Sequence, residues 1–362
     1  MKLRVIVTKT HRWLSLAALL FWLVQALTGM VMVFHWEMDD ALLSGSHRPT
    51  DLRAIDRRLA GLAPPGSGWE ADSIWTSAGS ADRWDVSLTN TGSGLSESVR
   101  IDGAGTVLRV RPDGERFDNG GWFETLDLIH QSLLGGDTGG WMVGLSGILL
   151  LSNIVMGMII AWPRGGKWRR SLMPPRSVGP SAARFYGWHR TLGLWAAIPA
   201  LLLVSSGVAR VFSDGFERLI SAPSPTIAAI RPAGPGIPFS DAVSRALELH
   251  PGSVPAGISF PTSQDAVWRI RLLAPGEPRR AYGTTTVWID GNDGRVIADV
   301  DAVHAPFARK VADFIYPFHT GESAGLVGRL AVLAIGAWLL SMIVIGVNLW
   351  IARRRLRTRK TG

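Results

Sequence analysis

The sequence predicts an integral membrane α-helical protein, with four transmembrane helices in a pseudo-two-fold repeat and two α+β modules outside the membrane. Three observations predict this fold class. The 362-residue chain has a positive mean hydropathy, it contains four uncharged apolar stretches, and its basic residues concentrate beside those stretches. Such a chain is too apolar for an ordinary soluble domain and is long enough for two or three structural units.

Four stretches lack charged residues over roughly the 20 residues that a helix needs to cross a bilayer. They are 13–34, 141–162, 191–209 and 330–352. Tryptophans cluster near their ends, as is typical of membrane interfaces. No small-residue cleavage pattern follows the first stretch, so we expect a retained helix rather than a signal peptide.

The basic residues predict the orientation of these helices. Segments 1–12, 163–190 and 351–362 contain 17 Lys and Arg residues and no Asp or Glu. The positive-inside rule therefore puts these segments and both termini in the cytoplasm. Topology then accounts for the net charge of +9. Because no aromatic stripe interleaves with the basic runs, we do not expect nucleic-acid binding.

Five consecutive domains follow from this topology. They are transmembrane helix 1 (1–35), a periplasmic module (36–120), transmembrane helices 2 and 3 with the basic cytoplasmic loop 163–190 (121–212), a second periplasmic module (213–303), and transmembrane helix 4 with a basic cytoplasmic tail (304–362).

The two modules share one plan, which is a short helix followed by strands. The first has a helical pattern over 51–62, a strand over 82–89, and a hairpin over 98–110 with Gly-Ala-Gly at its turn. In the second, 239–250 is amphipathic, with Ser240 or Asp241 as the predicted N-cap. Strand patterns follow at 266–273, 284–290 and 295–301, the last two joined by a Gly-Asn-Asp-Gly turn.

Several kinds of chemistry are excluded by composition. The chain has no cysteine, which rules out disulfides, covalent Cys-x-x-Cys-His haem attachment and thiolate-bound iron–sulfur clusters. Its glycine runs do not follow a predicted strand, so they do not form a flavin or nicotinamide fingerprint. Neither module shows a nucleophile–base pair or a phosphate loop.

The membrane helices form an internal sequence repeat. Residues 11–34 and 189–212 both begin with His-Arg, carry Gly eighteen positions after the His, and end with Phe twenty-three positions after it. His130 and His319 likewise each precede a Ser by 22 positions and a Gly by 27. The halves have the same orientation, so they form a parallel repeat about an axis along the membrane normal.

A family resemblance covers nearly the whole chain. The hairpins "VWIDGNDGRVIADVD" and "SVRIDGAGTVLRV" resemble PepSY domains. The segments "LIHQSLLGGDTGGWMVGLSGILLLSNIVMGMIIAW" and "YPFHTGESAGLVGRLAVLAIGAWLLSMIVIGVNLW" resemble helices of the PepSY-associated transmembrane family. This resemblance implies an iron-regulated protein of the bacterial inner membrane. The chain also resembles those family members that are haem-containing reductases of ferric siderophores.

The repeat arranges four histidines in two pairs of equal depth. His11 and His189 lie at the cytoplasmic edge, whereas His130 and His319 lie towards the periplasmic face. Facing imidazoles from two helices are the ligand set of a bis-histidine haem, so we expect two haem b groups with these four axial ligands. Interfacial anchoring is the alternative for a single histidine. Zinc or copper would usually need a third ligand.

Other residues are candidates for the same sites. Gly29 and Gly207 would let a macrocycle approach the backbone, or would simply allow close helix packing. The glycine-rich run after His130 predicts a break before the second span. Arginines are the candidates for propionate or siderophore contacts, with positive-inside anchoring or snorkelling as the alternative. They are Arg12, Arg190, Arg210 and Arg329.

Two further histidines are alternative ligand candidates for the periplasmic pair, His130 and His319. His35 follows the first span and is a candidate to replace His130 or His319, or to lie where electrons leave. His304 is a second candidate, although a surface position is the simpler interpretation.

These observations favour an electron conduit that reduces a periplasmic ferric complex, such as a ferric siderophore. We expect a cytoplasmic reductase or quinol as electron donor. One alternative is a membrane-anchored binding or regulatory protein, which would act on periplasmic proteases or sense a ligand. A transporter is disfavoured, because the spans carry neither midplane charges nor broken helices.

Overall fold

The computed structural model describes residues 2–43, 45, 47–77, 80–175, 181–222, 225–279 and 281–361. Part of the predicted basic loop, 176–180, lies outside these residues. The chain divides into two compact units. The helical unit comprises Met1–Val33, Leu126–Ser213 and Phe318–Gly362, and the sheet unit comprises Phe34–Thr125 and Asp214–Pro317.

Helices and strands follow one another along the chain in two rounds. The helices are α1 (Lys2–Ala17), α2 (Leu19–Met32), α3 (His35–Ala41), α4 (Leu52–Leu62), α5 (Gly121–Ser132), α6 (Gly136–Ala161), α7 (Trp168–Leu172), α8 (Ser181–Val211), α9 (Ser213–Leu219), α10 (Phe239–Leu249), α11 (Phe307–Thr320) and α12 (Gly325–Thr361). The strands are β1 (Trp69–Ser77), β2 (Ser80–Asn90), β3 (Ser96–Asp102), β4 (Val107–Pro112), β5 (Val254–Ser259), β6 (Val267–Leu273), β7 (Thr285–Asp290) and β8 (Val296–Val300).

The helical unit contains the long apolar helices. Among the described residues, three helices are long and apolar enough to cross a membrane: α6, α8 and the stretch Glu322–Leu356. Helices α1 and α2 form a fourth span if the two are counted together, but they bend by 63° at the break between them. The sequence predicted one continuous stretch over 13–34, and the bend at Ala18 interrupts it.

Two short helices lead into the long ones. Helix α5 ends at Ser132, and Leu133 and Leu134 then adopt left-handed backbone angles (φ 51° and 62°) before α6 begins. The predicted break after His130 is therefore confirmed. Helix α11 is interrupted in the corresponding place, where Gly321 has φ 81°. Both breaks come just after a histidine of the repeat.

All eight strands form one antiparallel sheet in the order β4-β3-β2-β1-β5-β6-β7-β8. The two predicted modules are therefore halves of one sheet, joined where β1 pairs with β5. The sequence did not predict β1 or β5. Strand β5 contains Pro255 and Gly257, which weaken a strand pattern. Gly257 is needed at this joint, because a Cβ there would overlap the Trp75 ring of β1.

One face of the sheet carries the hydrophobic core of this unit. Ile55 of α4 and Val243 of α10 are fully buried there against strand residues such as Trp84, Ile258 and Ile270. The alternation that predicted the strands is the pattern that places these side chains on one face.

The two helices on this face begin differently. Asp51 caps α4 by accepting hydrogen bonds from the amides of Arg53 and Ala54. The N-cap predicted for α10 is wrong, since the helix starts one residue after Pro238 and both Ser240 and Asp241 lie inside its first turn. The Ser240 amide donates instead to Asp56 of α4 (3.1 Å). A neighbouring helix thus supplies the acceptor that an N-cap side chain would provide.

A buried ion cluster anchors α3 within the sheet unit. Arg109 donates to Asp39 (2.7 Å), Arg100 also donates to Asp39, and Arg100 holds Asp85 as well (2.7 Å). Burial alone would raise the pKa of Asp39, but Arg109 and Arg100 outweigh it and hold that pKa below its usual value. The cluster keeps these charges compensated away from water.

We expect Asp39→Asn to destabilise the sheet unit by about 3 kcal/mol, because it leaves two buried guanidinium groups without their shared carboxylate. Since the folded pKa is lowered, this stabilisation is complete above the usual carboxyl pKa of about 3.9 and is lost as the pH falls through the folded value. Chemical unfolding of the full chain at neutral and acid pH would measure both effects. Glu70→Gln, an exposed charge loss, is the control. An equal effect of the two substitutions would contradict the assignment.

Candidate functional site

Four histidines of the helical unit meet in two pairs. The ring centres of His11 and His189 lie 6.3 Å apart, with the planes at 65°. Those of His130 and His319 lie 6.4 Å apart, with the planes at 35°. The structure thus brings together the same partners that the sequence repeat matched. Each pair takes one imidazole from each half of the chain.

The two pairs lie at opposite ends of α8. His189 is near its start, while Gly207, eighteen residues later, lies against the ring of His319. At 1.5 Å per residue, eighteen residues span about 27 Å of helix. The arrangement therefore has one histidine pair towards each end of the long helices.

Small residues make room for the rings of the second pair. A Cβ on Gly29 would lie 2.8 Å from Cε1 of His130, and a Cβ on Gly207 would lie 2.9 Å from Cε1 of His319. The sequence predicted that these glycines admit a macrocycle or allow close packing. The structure agrees with close packing, because each glycine faces an imidazole ring of another helix. The macrocycle alternative stays a prediction.

A second pair of glycines has the same relation to the other histidines. A Cβ on Gly157 would lie 3.3 Å from Cε1 of His11, and a Cβ on Gly346 would lie 3.4 Å from Cε1 of His189. The sequence repeat had matched these two glycines without connecting them to a histidine. Each of the four imidazoles therefore lies against a glycine of another helix.

A hydroxyl group fixes the proton position of His130. Its Nδ1 lies 3.0 Å from Oγ1 of Thr28, and that hydroxyl already donates to the Val24 carbonyl (2.8 Å). Because the hydroxyl has only one proton, its oxygen must accept from Nδ1–H of the imidazole. We infer that Nε2 of His130 carries the free lone pair, as a metal-ligating histidine requires.

The same device holds His319. Its Nδ1 lies 3.1 Å from Oγ of Ser206, which donates to the Leu203 carbonyl (2.7 Å). Nδ1 also lies 3.2 Å from that carbonyl, which can only accept. Ser206 corresponds to Thr28 in the repeat, and sequence reasoning missed both. The signal was present, since each directly precedes a repeated glycine.

The first pair is held asymmetrically. Nδ1 of His11 lies 3.0 Å from the backbone carbonyl of Asn153, so it must be the donor and Nε2 is again unprotonated. Nδ1 of His189 is buried and has no hydrogen-bond partner within the described part of the chain. The ring of His189 is therefore less restrained than the ring of His11.

The arginines beside the first pair have different surroundings. Arg190 donates from Nε to the Ala161 carbonyl (3.1 Å) and from Nη2 to Ser171 (2.7 Å), so it satisfies the C-terminal end of α6. Arg12 lies over the Trp13 ring at 5.2 Å, and its buried Nε has no partner among the described residues. The repeat therefore does not give these two arginines equivalent contacts.

The arginines towards the other end also differ. Arg329 is only 8% exposed, and its Nε and Nη2 donate to the Val33 carbonyl (3.1 and 2.7 Å). It thus satisfies the carbonyl that follows α2, which accounts for a buried charge beside a span. Arg210 lies exposed near the end of α8.

The two histidines proposed as substitutes lie in the sheet unit. His35 begins α3, with its ring 5.2 Å from that of Trp36. His304 is exposed and contacts Asp301 (2.7 Å). His130 has His319 as its ring partner, so neither substitute is needed to complete the pair.

Each pair has two imidazole rings with centres 6.3 or 6.4 Å apart. Such a pair could hold a group that takes two histidine ligands. Among the described residues, no group of three or more His, Asp or Glu side chains could hold a metal ion. A haem is one group that paired histidines could hold, and it would supply one-electron chemistry there.

Comparison with protein-family models identifies the family of this chain. No curated protein matches this chain significantly. The family model described as PepSY-associated TM region matches residues 8–353, which include all four paired histidines and both units. This match confirms the family resemblance drawn from the sequence motifs. The chain is therefore a membrane protein that belongs to the PepSY-associated transmembrane family.

Proposed function

We propose that the protein is a di-haem b electron conduit of the bacterial inner membrane, and that it reduces a periplasmic ferric complex of the siderophore class for iron acquisition. The observation that carries the proposal is the duplicated site, in which two histidine pairs have nearly equal ring separations and each ring lies against a glycine. When bound, haem b would supply reversible one-electron chemistry at each end of the helices.

The chain itself holds and orients the two groups. His11 and His189 are the ligands at the inner end, and His130 and His319 are the ligands at the outer end. Hydrogen bonds at three of the four Nδ1 atoms would leave Nε2 unprotonated and able to ligate an iron. The electron balance is simple: a cytoplasmic reductase or quinol gives up one electron for each external Fe³⁺ that becomes Fe²⁺.

An absorbance spectrum tests the function most directly. The full chain, purified in detergent from cells supplied with iron, should show a Soret band and α and β bands that sharpen on reduction, with two haems per chain. A chain without haem would contradict the proposal and favour a membrane-anchored binding or regulatory protein. Zinc or copper in place of haem, detected by elemental analysis, would also contradict it.

The proposed orientation gives a topology prediction. We propose four spans, with α1 and α2 together as the first, both termini in the cytoplasm and the sheet unit in the periplasm. The chain has no native cysteine, so labelling of a single introduced cysteine is free of labelling at other thiols of the chain. In intact spheroplasts, Ser93→Cys and Asp293→Cys in exposed turns should react with an impermeant maleimide, whereas Thr358→Cys should react only after lysis. The reverse pattern would overturn the orientation and the depth assignment of the histidines.

The hydroxyl contacts give a second prediction. Thr28→Val removes the acceptor for Nδ1 of His130 while it keeps the side-chain shape. We expect haem affinity at that site to fall about 10- to 100-fold, as is typical when a ligand loses its outer partner. Haem transfer to apo-myoglobin would measure the loss.

Ser152→Ala is the matched control for Thr28→Val. That hydroxyl is exposed and donates to its own helix at the Leu149 carbonyl (2.7 Å). Equal haem release from the two variants would mean that the Thr28 contact does not stabilise the ligand.

A further inference from the structure

A basic groove lies beside α1 in the helical unit. Its volume is about 440 Å³. Residues of α1 and of the segment after α6 line it, and they are Arg4, Val5, Thr8, Lys9, Arg12 and Arg164. Four of these six are cationic, and none of the described lining residues is acidic. An uncompensated cationic groove of this kind is suited to an anion.

Two contacts show how the groove is built. Arg4 donates to the Ile160 carbonyl (2.9 Å), which holds α1 against the end of α6. The Nε of Arg12 is buried and lacks a hydrogen-bond partner among the described residues. A buried donor without an acceptor is costly, and an anion in the groove would remove that cost. A guanidinium and an ammonium together can both contact the oxygens of one phosphate group.

The groove is not part of the repeated histidine geometry. In the other half of the chain, the residue equivalent to Arg12 is Arg190, and its Nε already donates to the Ala161 carbonyl. A site that serves the paired histidines would be expected beside both His11 and His189. The groove therefore points to a ligand of its own.

Apolar side chains on the same helix indicate what that ligand carries besides charge. Val5 lines the groove and is 50% exposed, while Ile6 and Trp13 are 58% and 59% exposed. Ile6 and Trp13 are seven residues apart, so they share one face of α1. Cationic groups that can bind an anion thus adjoin an apolar helix surface, as a phospholipid with a phosphate and acyl chains requires.

We propose that this groove binds the headgroup phosphate of an acidic phospholipid of the phosphatidylglycerol class. Arg12 and Lys9 contact the phosphate, Arg164 closes the opposite wall, and the acyl chains lie against the exposed face of α1. The proposal is independent of electron transfer, because it concerns the binding of lipid alone.

Native mass spectrometry of the full chain tests this binding. The protein is stripped of lipid in detergent and then titrated with phosphatidylglycerol or with phosphatidylcholine of the same chain length. We expect the wild-type chain to retain one phosphatidylglycerol in preference to phosphatidylcholine. Arg12→Gln should weaken that retention about tenfold, the usual size of a lost charge-assisted hydrogen bond.

Two further variants make the result specific. Arg164 lies in the loop after α6, so Arg164→Gln alters the groove without disturbing α1. It should weaken retention. Arg355→Gln removes an exposed charge on α12 and should leave retention within about twofold of wild type, because exposed charges are screened. An equal loss in Arg355→Gln and Arg12→Gln would overturn the proposal in favour of diffuse attraction.

Two other outcomes would also overturn it. Displacement of phosphatidylglycerol by an equal concentration of inorganic phosphate would mean that acyl chains contribute nothing and that the site takes free phosphate. Loss of haem absorbance in Arg12→Gln with lipid retention unchanged would mean that the arginine serves a propionate instead.

Discussion

His319→Ala is expected to abolish reduction of an external ferric complex while the haem proposed for His11 and His189 remains bound. The substitution removes one of the two imidazoles of this pair. His130 would then be the only histidine of the pair left to hold the proposed haem. The chain has no cysteine that could act as another redox group. We expect the rate to fall by about 100-fold or more, which exceeds the usual effect of losing an outer-shell partner.

The measurement uses full-length protein in proteoliposomes, reduced from one side, with ferric siderophore and a ferrous chelator on the other. His304→Ala is the matched control, because His304 is an exposed histidine of the sheet unit that pairs with Asp301. Undiminished ferrous trapping by His319→Ala would rule out this route. No trapping by the wild-type chain, despite haem reduction, would favour a haem-bound sensor.

The second large effect is expected from the inner pair. His11→Ala and His189→Ala should each remove about half of the bound haem and leave the outer site spectrally intact, because a low-spin bis-histidine site needs both ligands. The outer pair lies at the other end of α8, about 27 Å away along the helix, so the two sites should respond separately. Pyridine haemochrome assay and reduced-minus-oxidised spectra would measure content and spectral type.

The two inner variants also test each other. The Nδ1 of His11 is held by the Asn153 carbonyl, whereas His189 lacks such a partner within the described residues. Both substitutions should nevertheless give the same loss, since each removes one of the two proposed haem ligands. Unchanged haem content in either variant would show that the assignment of this pair is wrong. A loss of both haems in a folded chain would show that the sites are not separate.

The sheet shows where sequence reasoning reaches its limit. Strands β2 and β6 alternate between buried and more exposed residues, so their positions were predictable from the sequence. Strands β3, β4, β7 and β8 were predictable as runs on either side of glycine-containing turns. Strand β5 carries Pro255 and Gly257, so its own residues do not indicate a strand. It exists because β1 offers a partner, with the Trp75 ring in the space that Gly257 leaves.

The histidine pairs could be predicted because a repeat is a long-range constraint written in the sequence. Equal spacing put His11 with His189, and His130 with His319, at equal depth in helices of known rise. Local spacing cannot reveal which residue of another helix faces a ring. The contacts of Thr28 with His130 and of Gly157 with His11 therefore required the tertiary structure.

By itself the sequence determined the membrane class, the family motifs, the repeat and the histidine partners. Each of these depends on composition or periodicity along one chain. Only the tertiary structure decided that the two modules share one sheet, that Arg190 and Arg329 bond backbone carbonyls, and that Arg12 lines a groove. The physical reason is that a buried polar group takes the nearest available partner in space, and that partner is fixed by helix packing and strand pairing between residues far apart in sequence.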